Sequence, residues 1–199
     1  MWTTRFLMTL TLAGWSAAAF AGSRADVGLL LGSTSATTEA PTLRFDRGTT
    51  YQATLGWCLW QHSAFDLRLD VPFIATPAFT VLNGVPSLPL EYASLYLTPG
   101  VRVTIRPRSA VSVFGAVGAG YARYTESQLR ADRSPNPAQQ DTNAGAIGFG
   151  GGVDVRGIGW LGFRGEVRDV YTGARRFSIA TPGRRVHNVV ASGGLVVRF

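Results

Sequence analysis

Residues 160–171 read WLGFRGEVRDVY, and this stretch decides the fold class. Its positions alternate between apolar side chains and glycine or charge, with Leu161, Phe163, Val167 and Tyr171 on one parity and Gly162, Arg164, Glu166 and Arg168 on the other. A period of two is typical of a β-strand, because successive side chains point to opposite faces. The segment is therefore predicted to be a strand with one apolar face and one face of glycine and mixed charge.

The same alternation recurs along most of the chain, and helical spacing of apolar residues is hard to find. It predicts eight strands, at about 26–32, 50–60, 64–73, 91–106, 110–126, 144–156, 160–171 and 187–199. In 110–126 the two faces stay unassigned, because Val111, Val113 and Val117 share the parity of Arg123. The connections alternate between tight turns at 61–63, 107–109 and 157–159 and long polar segments at 33–47, 75–89, 127–142 and 172–185. This order predicts an antiparallel up-and-down meander.

Two architectures share this pattern: a soluble sandwich buries its apolar face, whereas a transmembrane barrel turns that face towards lipid. The glycine-rich polar face favours the barrel, because an eight-stranded lumen is only wide enough for its own side chains. The mid-strand charges also nearly balance in sign, as charges enclosed in a narrow lumen require. The expected lumen charges are Asp26, Asp66, Asp70, Asp154 and Glu166 facing Arg68, Arg102, Arg106, Arg156, Arg164, Arg168 and Arg198.

Aromatic residues gather near both ends of the predicted strands. Trp57, Trp60, Phe65, Trp160 and Phe199 lie near the tight turns, and Tyr51, Phe73, Tyr92, Tyr124 and Tyr171 lie near the long segments. Amphipathic rings prefer the two membrane interfaces. We therefore predict an all-β fold, an eight-stranded antiparallel up-and-down transmembrane β-barrel.

The N-terminus predicts export. Arg5 precedes an apolar run from Phe6 to Ala21 that closes with Ala19-Phe20-Ala21, the pattern of a secretory signal peptide. A transmembrane anchor is the alternative, but the run is shorter than the ~20 residues that a spanning helix needs. We expect a signal peptide at 1–21, cleaved to leave a barrel domain at 22–199.

The amino-acid composition excludes some classes of function. All 19 basic residues are arginine, the net charge is +7 and the isoelectric point is about 10.5. Nucleic-acid binding is nevertheless not expected, because much of this charge is predicted to lie opposite acids and the protein is exported. A single cysteine excludes an internal disulfide framework and a cysteine-rich zinc site.

The chain ends Ser192-Gly193-Gly194-Leu195-Val196-Val197-Arg198-Phe199. This ending resembles the C-terminal insertion signal of bacterial outer-membrane β-barrels, and 25–199 as a whole resembles the small eight-stranded proteins of the OmpA/OmpX type. The resemblance implies that Gly194, Val197 and Phe199 form an assembly signal that the barrel-assembly machinery reads. Val197 stands where these barrels more often have an aromatic residue. The resemblance also implies location in the outer membrane, a periplasmic N-terminus and external long loops.

Few side chains are candidates for catalysis, since the chain has two histidines. His62 lies in a tight turn, whereas His187 begins the last strand, with Ser178 in the preceding loop and Asp169 or Glu166 on the neighbouring strand. A nucleophile needs a base and an orienting acid, so a lipid-A-modifying hydrolase of the PagL type is one reading. The alternative interpretation is that His187 is a polar residue at the rim of the barrel, because the PagL His-x-Ser spacing is missing. Neither a metal site nor a cofactor is expected.

The sequence thus favours a monomeric outer-membrane barrel with a structural or surface-interaction role and without catalysis. Its expected partners are outer-membrane lipids and lipopolysaccharide, because guanidinium groups bind phosphate bidentately. The candidate contacts are Arg175, Arg176, Arg184 and Arg185, for which a plain solvated loop is the alternative. A narrow solute channel is a third possibility, which crowded arginine and tyrosine side chains in the lumen oppose.

Overall fold

The computed structural model describes residues 24–37, 44–45, 47–82, 89–137, 139, 141–173 and 186–199. The predicted signal peptide at 1–21 and the candidate contacts Arg175, Arg176, Arg184 and Arg185 lie outside these residues. The described residues form ten strands: β1 (Ala25–Thr37), β2 (Arg44–Phe45), β3 (Gly48–Gln61), β4 (Phe65–Leu82), β5 (Glu91–Leu97), β6 (Gly100–Ile105), β7 (Val111–Glu126), β8 (Asp141–Arg156), β9 (Leu161–Thr172) and β10 (Val186–Arg198). None of the described residues forms a helix long and apolar enough to cross a membrane.

The strands close into an antiparallel barrel, because β1 pairs with β10 from Asp26 opposite Arg198 to Thr37 opposite His187. From β1 the wall continues through β3, β4, β5 with β6, β7, β8 and β9 back to β10. β5 and β6 lie end to end between β4 and β7, so together they supply one strand of the wall. The short β2 pairs with the outer end of β4. The described residues thus confirm the predicted eight-stranded up-and-down barrel.

The interruption between β5 and β6 lies at Pro99, which has no N–H group for a ladder hydrogen bond. The Pro99 carbonyl instead accepts a hydrogen bond from the backbone N–H of Ala119 at 3.1 Å. Glycines flank Ala119, and a Cβ at Gly118 would lie 2.7 Å from the Pro99 oxygen, while one at Gly120 would overlap the Leu97 carbonyl. These two glycines let β7 approach the interrupted strand closely enough to keep the wall closed.

The two faces of the wall have the predicted orientation. Phe163 is 54% exposed on the outside, whereas its neighbour Arg164 is 3% exposed on the inside. Large apolar side chains cover the outer face, including Leu29, Leu31, Leu55, Leu69, Val101, Val113, Val117, Ile147, Phe149, Val167 and Leu195. A continuous apolar exterior around a polar interior suits lipid rather than water.

The structure shows which side chains of β7 point outward and which point into the lumen. Val111, Val113, Val117 and Arg123 all point outward, as their shared parity requires. Arg123 lies at the loop end of the strand, where its Nη2 donates to Asp141 Oδ2 at 2.6 Å. The arginine is thus compatible with an apolar outer face, because it stands at the rim and has an acidic partner.

The strands reach further into the long segments than the sequence indicates. β1 continues to Thr37 and β4 to Leu82, so parts of the expected loops at 33–47 and 75–89 are strand. A register shift between Thr76 and Phe79 turns Phe79 into the barrel. Serine and threonine in this region leave no alternation of apolar and polar residues in the sequence. Such an alternation is not required, because a wall that projects beyond lipid needs no apolar outer face.

An apolar cluster, here called the aromatic plug, fills the lumen near the long loops. Its members are Ile74, Phe79, Tyr92, Tyr96, Ala122, Tyr124, Ala146, Val170 and Val190. Phe79 stacks on Tyr92 with 4.8 Å between ring centroids, and the Tyr124 hydroxyl lies 2.7 Å from Thr172 Oγ1. The expectation that Tyr92 and Tyr124 belong to an interfacial belt is therefore wrong. Their parity places both rings inside, although their distance along the strand suits an interface.

Candidate functional site

The lumen near the tight turns holds a charge network centred on Asp26. Arg68 Nη1 donates to Asp26 Oδ2 at 2.9 Å, Arg102 Nη2 donates to the same oxygen at 2.5 Å, and Arg164 Nη2 donates to Oδ1 at 3.4 Å. Arg164 also binds Asp154 through two hydrogen bonds, of 2.7 and 2.9 Å. One carboxylate from β1 therefore links arginines from three other strands across the lumen.

A second part of the charge network lies towards the aromatic plug. Arg168 donates from Nη2 to Asp70 at 2.9 Å and from Nε to Glu166 at 3.1 Å. Gln52 Nε2 donates to Glu166 at 2.6 Å, and Ser192 Oγ donates to Gln52 Oε1 at 2.9 Å. These bonds join β3, β4, β9 and β10, so the network ties opposite parts of the wall together.

Ten of the predicted lumen charges are in this network: Asp26, Asp66, Arg68, Asp70, Arg102, Asp154, Arg164, Glu166, Arg168 and Arg198. The expectation for Arg106 and Arg156 is wrong, because both side chains are exposed. Arg106 has a positive φ of 52° in the turn after β6, and Arg156 Nη2 donates to the Pro107 carbonyl at 2.9 Å. Both residues stand where a strand meets a turn, so alternation no longer fixes their direction.

Glycines make room for the network, as the sequence predicts. A Cβ at Gly56 would overlap Arg102 Nη2 and the carboxylate of Asp26, and one at Gly162 would overlap Arg198 Nη1. Each small residue therefore leaves the volume that one guanidinium group occupies.

The residues of the expected assembly signal lie on the strand that closes the barrel. Gly194 packs so tightly against β1 that a Cβ would overlap the carbonyl of Leu29, and the N–H of Phe199 donates to Ala25 at 2.9 Å. Val197 faces outward between them. Recognition of these residues by assembly machinery stays a prediction.

A polar pair lies on the outer wall at the loop end of β9 and β10. Nδ1 of His187 donates to Asp169 Oδ2 at 2.6 Å, and the imidazole lies 4.7 Å from the Tyr171 ring. The His187 side chain is 51% exposed and that of Asp169 is 19% exposed. Phe149 and Val189 flank Asp169 in the adjacent strands, so the carboxylate stands within apolar surroundings.

Of the two acids considered for His187, Glu166 is not its partner, because it points into the lumen and binds Arg168. Ser178 lies outside the described residues. His62 lies in the turn at the other end of the barrel, where its Nδ1 is 3.5 Å from Ser63 Oγ. The structure therefore brings His187 and Asp169 together as a hydrogen-bonded pair.

A shallow groove of about 570 Å³ crosses the outer wall, and neither His187 nor Asp169 lines it. Its floor consists of small outward-facing residues, Gly151, Gly165, Ala191 and Gly193. Val167 ends the groove on β9, two residues before Asp169 on the same face. The groove therefore lies on the same outer face as the His187–Asp169 pair but is separated from it along the strands.

The loop between β7 and β8 is folded on itself. Leu129 bridges to Pro135, and the backbone N–H of Asn136 donates to the Gln128 carbonyl at 2.7 Å. Hydrogen bonds from Ser134 lower the pKa of the Asp132 carboxyl. Among the described residues no group of three or more histidine, cysteine, aspartate or glutamate side chains could hold a metal ion.

The sequence matches no protein-family profile and no curated protein. The fold, by contrast, is that of small outer-membrane β-barrels. The crystal structure of Neisserial surface protein A aligns with a TM-score of 0.64 at 13% identity, over 89% of this chain and 98% of that chain. The N-terminal β-barrel domain of Pseudomonas aeruginosa OprF aligns with a TM-score of 0.51 at 9% identity, over 89% of this chain and 99% of that chain. At such identities the likeness describes architecture alone.

Proposed function

We propose that the protein is an integral barrel of the bacterial outer membrane, with a structural or surface-interaction role. The supporting observation is its inverted orientation, an apolar exterior around a lumen filled by the charge network and the aromatic plug. We propose that such a wall is a scaffold and that the segments that connect its strands at the plug end carry recognition. The fold shared with Neisserial surface protein A agrees with this location.

Lipopolysaccharide phosphate is the proposed partner of Arg175, Arg176, Arg184 and Arg185. The support is their place in the sequence, because they follow β9 and precede β10 at the rim where His187 and Tyr171 lie. Arginine forms paired hydrogen bonds with phosphate oxygens.

Purified barrels can be titrated with lipopolysaccharide micelles to test this role. Changing Arg175 and Arg176 to glutamine is expected to weaken binding by about tenfold, which corresponds to roughly 1.4 kcal/mol. The same change at Arg24, directly before β1, and at Arg106, both at the opposite end, is the matched control. Equal losses in both variants would contradict the proposal, and recovery of the protein outside the outer-membrane fraction would contradict the location.

A second candidate function, a hydrolase acting on a membrane lipid, is supported by the His187–Asp169 pair. The hydrogen bond to Asp169 keeps the imidazole proton of His187 on Nδ1. Nε2 is then available to accept a proton from an attacking hydroxyl group. An acyl chain of the substrate would lie along the outer wall, where the groove on the same face offers a place for it.

Mass spectrometry of lipid A and phospholipids from cells that produce the protein tests this candidate. The hydrolase proposal expects loss of deacylated products in His187→Ala and in Asp169→Asn. His62→Ala is the matched control, because it removes the other histidine of the chain at the opposite end. An unchanged lipid profile in His187→Ala would rule out the hydrolase and leave the structural or surface-interaction role as the proposed function.

A further inference from the structure

A cavity of about 570 Å³, here called the vestibule, opens at the tight-turn end of the barrel. Its walls include Asp26, Asp66, Arg102, Arg108, Arg156 and Trp160. It lies opposite the long loops and on the other side of the charge network from the aromatic plug. We propose that the vestibule binds a phosphate group that carries a proton, such as hydrogen phosphate or a phosphate monoester.

The balance of charge favours an anion at this mouth. Within the charge network, Asp26, Asp66, Asp70, Asp154 and Glu166 match Arg68, Arg102, Arg164, Arg168 and Arg198 in number, so the network itself is neutral. Arg108 and Arg156 add two positive charges where the vestibule opens. Arg156 donates to a backbone carbonyl, so its charge is not neutralised by that bond. An anion entering the vestibule would offset this excess of positive charge.

The floor of the vestibule has buried donors without hydrogen bonds. Arg102 has a side chain that is 1% exposed, yet its Nε and Nη1 have no hydrogen-bond partner among the described residues. Nη1 lies 3.4 Å from Asp70 Oδ1, an ion pair without hydrogen-bonding geometry. A buried donor left unsatisfied costs about 1–3 kcal/mol. Nη1 faces Asp70, which does not line the vestibule, so Nε is the donor that an oxygen of an entering oxyanion would have to reach.

An acceptor without a hydrogen-bond partner among the described residues also lines the vestibule. Asp66 is fully buried and lines the vestibule, and its Oδ1 has no hydrogen-bond partner among the described residues. Asp66 pairs with Thr104, two residues from Arg102 on the same face, so the carboxylate and the guanidinium are diagonal neighbours. A carboxylate repels a fully ionised oxyanion but accepts a hydrogen bond from a P–OH group. The site therefore discriminates between a protonated phosphate and sulfate.

Calorimetric titration of the detergent-solubilised barrel with inorganic phosphate and with sulfate, at constant ionic strength, tests the proposal. Wild-type protein is expected to bind phosphate at least tenfold more tightly than sulfate. Arg108→Gln with Arg156→Gln should weaken phosphate binding at least tenfold, while Arg123→Gln at the outer rim should not. Asp66→Asn replaces the acceptor by an amide that can donate, and should shift the preference towards sulfate. The heat-modifiable gel shift of a folded barrel verifies each variant.

Two sources could supply the phosphate, a soluble anion or a lipid headgroup. Nanodiscs of phosphatidylcholine with and without phosphatidic acid, whose headgroup is a monoester, separate them. Soluble phosphate is the ligand if binding is the same in both, and the lipid is the ligand if phosphatidic acid abolishes it. Absence of binding, equal affinity for phosphate and sulfate, or insensitivity to the Arg108 and Arg156 changes would overturn the proposal.

Discussion

Asp26 shows how much one side chain can contribute in a narrow lumen. Its carboxylate accepts hydrogen bonds from Arg68, Arg102 and Arg164, and its surroundings are buried. Asp26→Asn removes the charge but keeps the size, so three buried guanidinium groups would lose their shared counter-charge. Breaking a buried ion pair from one side typically costs about 3–5 kcal/mol. We expect a loss of that order in the free energy of unfolding, measured by urea titration of the barrel refolded in lipid vesicles.

Asp141→Asn is the matched control for this prediction. Asp141 also binds an arginine, Arg123, but both side chains of that pair are about half exposed at the rim. Exposed ion pairs contribute little, because water already solvates both charges. Similar destabilisation by the two variants would show that burial in the lumen does not determine the contribution.

Single residues also show what could be predicted at this scale. Parity alone assigned Asp26 and Arg164 to the lumen, because alternation along a strand fixes the face. It could not identify Asp26 as the centre, since its partners come from β4, β6 and β9 and depend on how the barrel closes. Asp169 was one of two acids considered for His187, and alternation along β9 distinguishes it from Glu166, which points into the lumen. The β9–β10 register then places Asp169 diagonal to His187.

At the level of elements, β7 has to follow a neighbouring strand that is interrupted between β5 and β6. Gly120→Val would place a side chain against the Leu97 carbonyl, so either the interrupted strand or β7 must move. Overpacking of this kind typically costs about 1–3 kcal/mol. We expect slower folding into vesicles and lower stability, measured by the heat-modifiable gel shift over time and by urea titration.

Gly145→Val on the neighbouring strand β8 is the control, because a Cβ there meets nothing within 4 Å and would point outward. Valine is also a better strand former than glycine. Equal behaviour of the two variants would contradict the close approach of β7 to the Pro99 interruption.

Elements were predictable where lipid imposes a pattern. The apolar face of β9 is evident in the sequence because hydrocarbon excludes polar groups from it. The sequence did not predict the extension of β4 to Leu82, because no alternating pattern is required beyond the lipid. It also did not predict that Phe79 turns into the lumen, because a register shift reverses the parity there.

For the whole molecule, the lumen has two fillings of different chemistry. The charge network occupies the end near the tight turns and the aromatic plug occupies the end near the long loops. The sequence predicted the network but not the plug, because tyrosines at the ends of strands also suit an interfacial belt. Two fillings mean that neither alone has to seal the barrel.

This arrangement predicts an electrically silent barrel. Wild-type protein in a planar bilayer should give no conductance steps, and Tyr92→Ala with Tyr124→Ala should also stay silent, because the charge network still fills the other half of the lumen. A porin reconstituted in the same bilayer provides the positive control. Reproducible steps from the wild-type protein would favour the narrow solute channel. Steps from the tyrosine variant alone would show that the plug, rather than the network, closes the lumen.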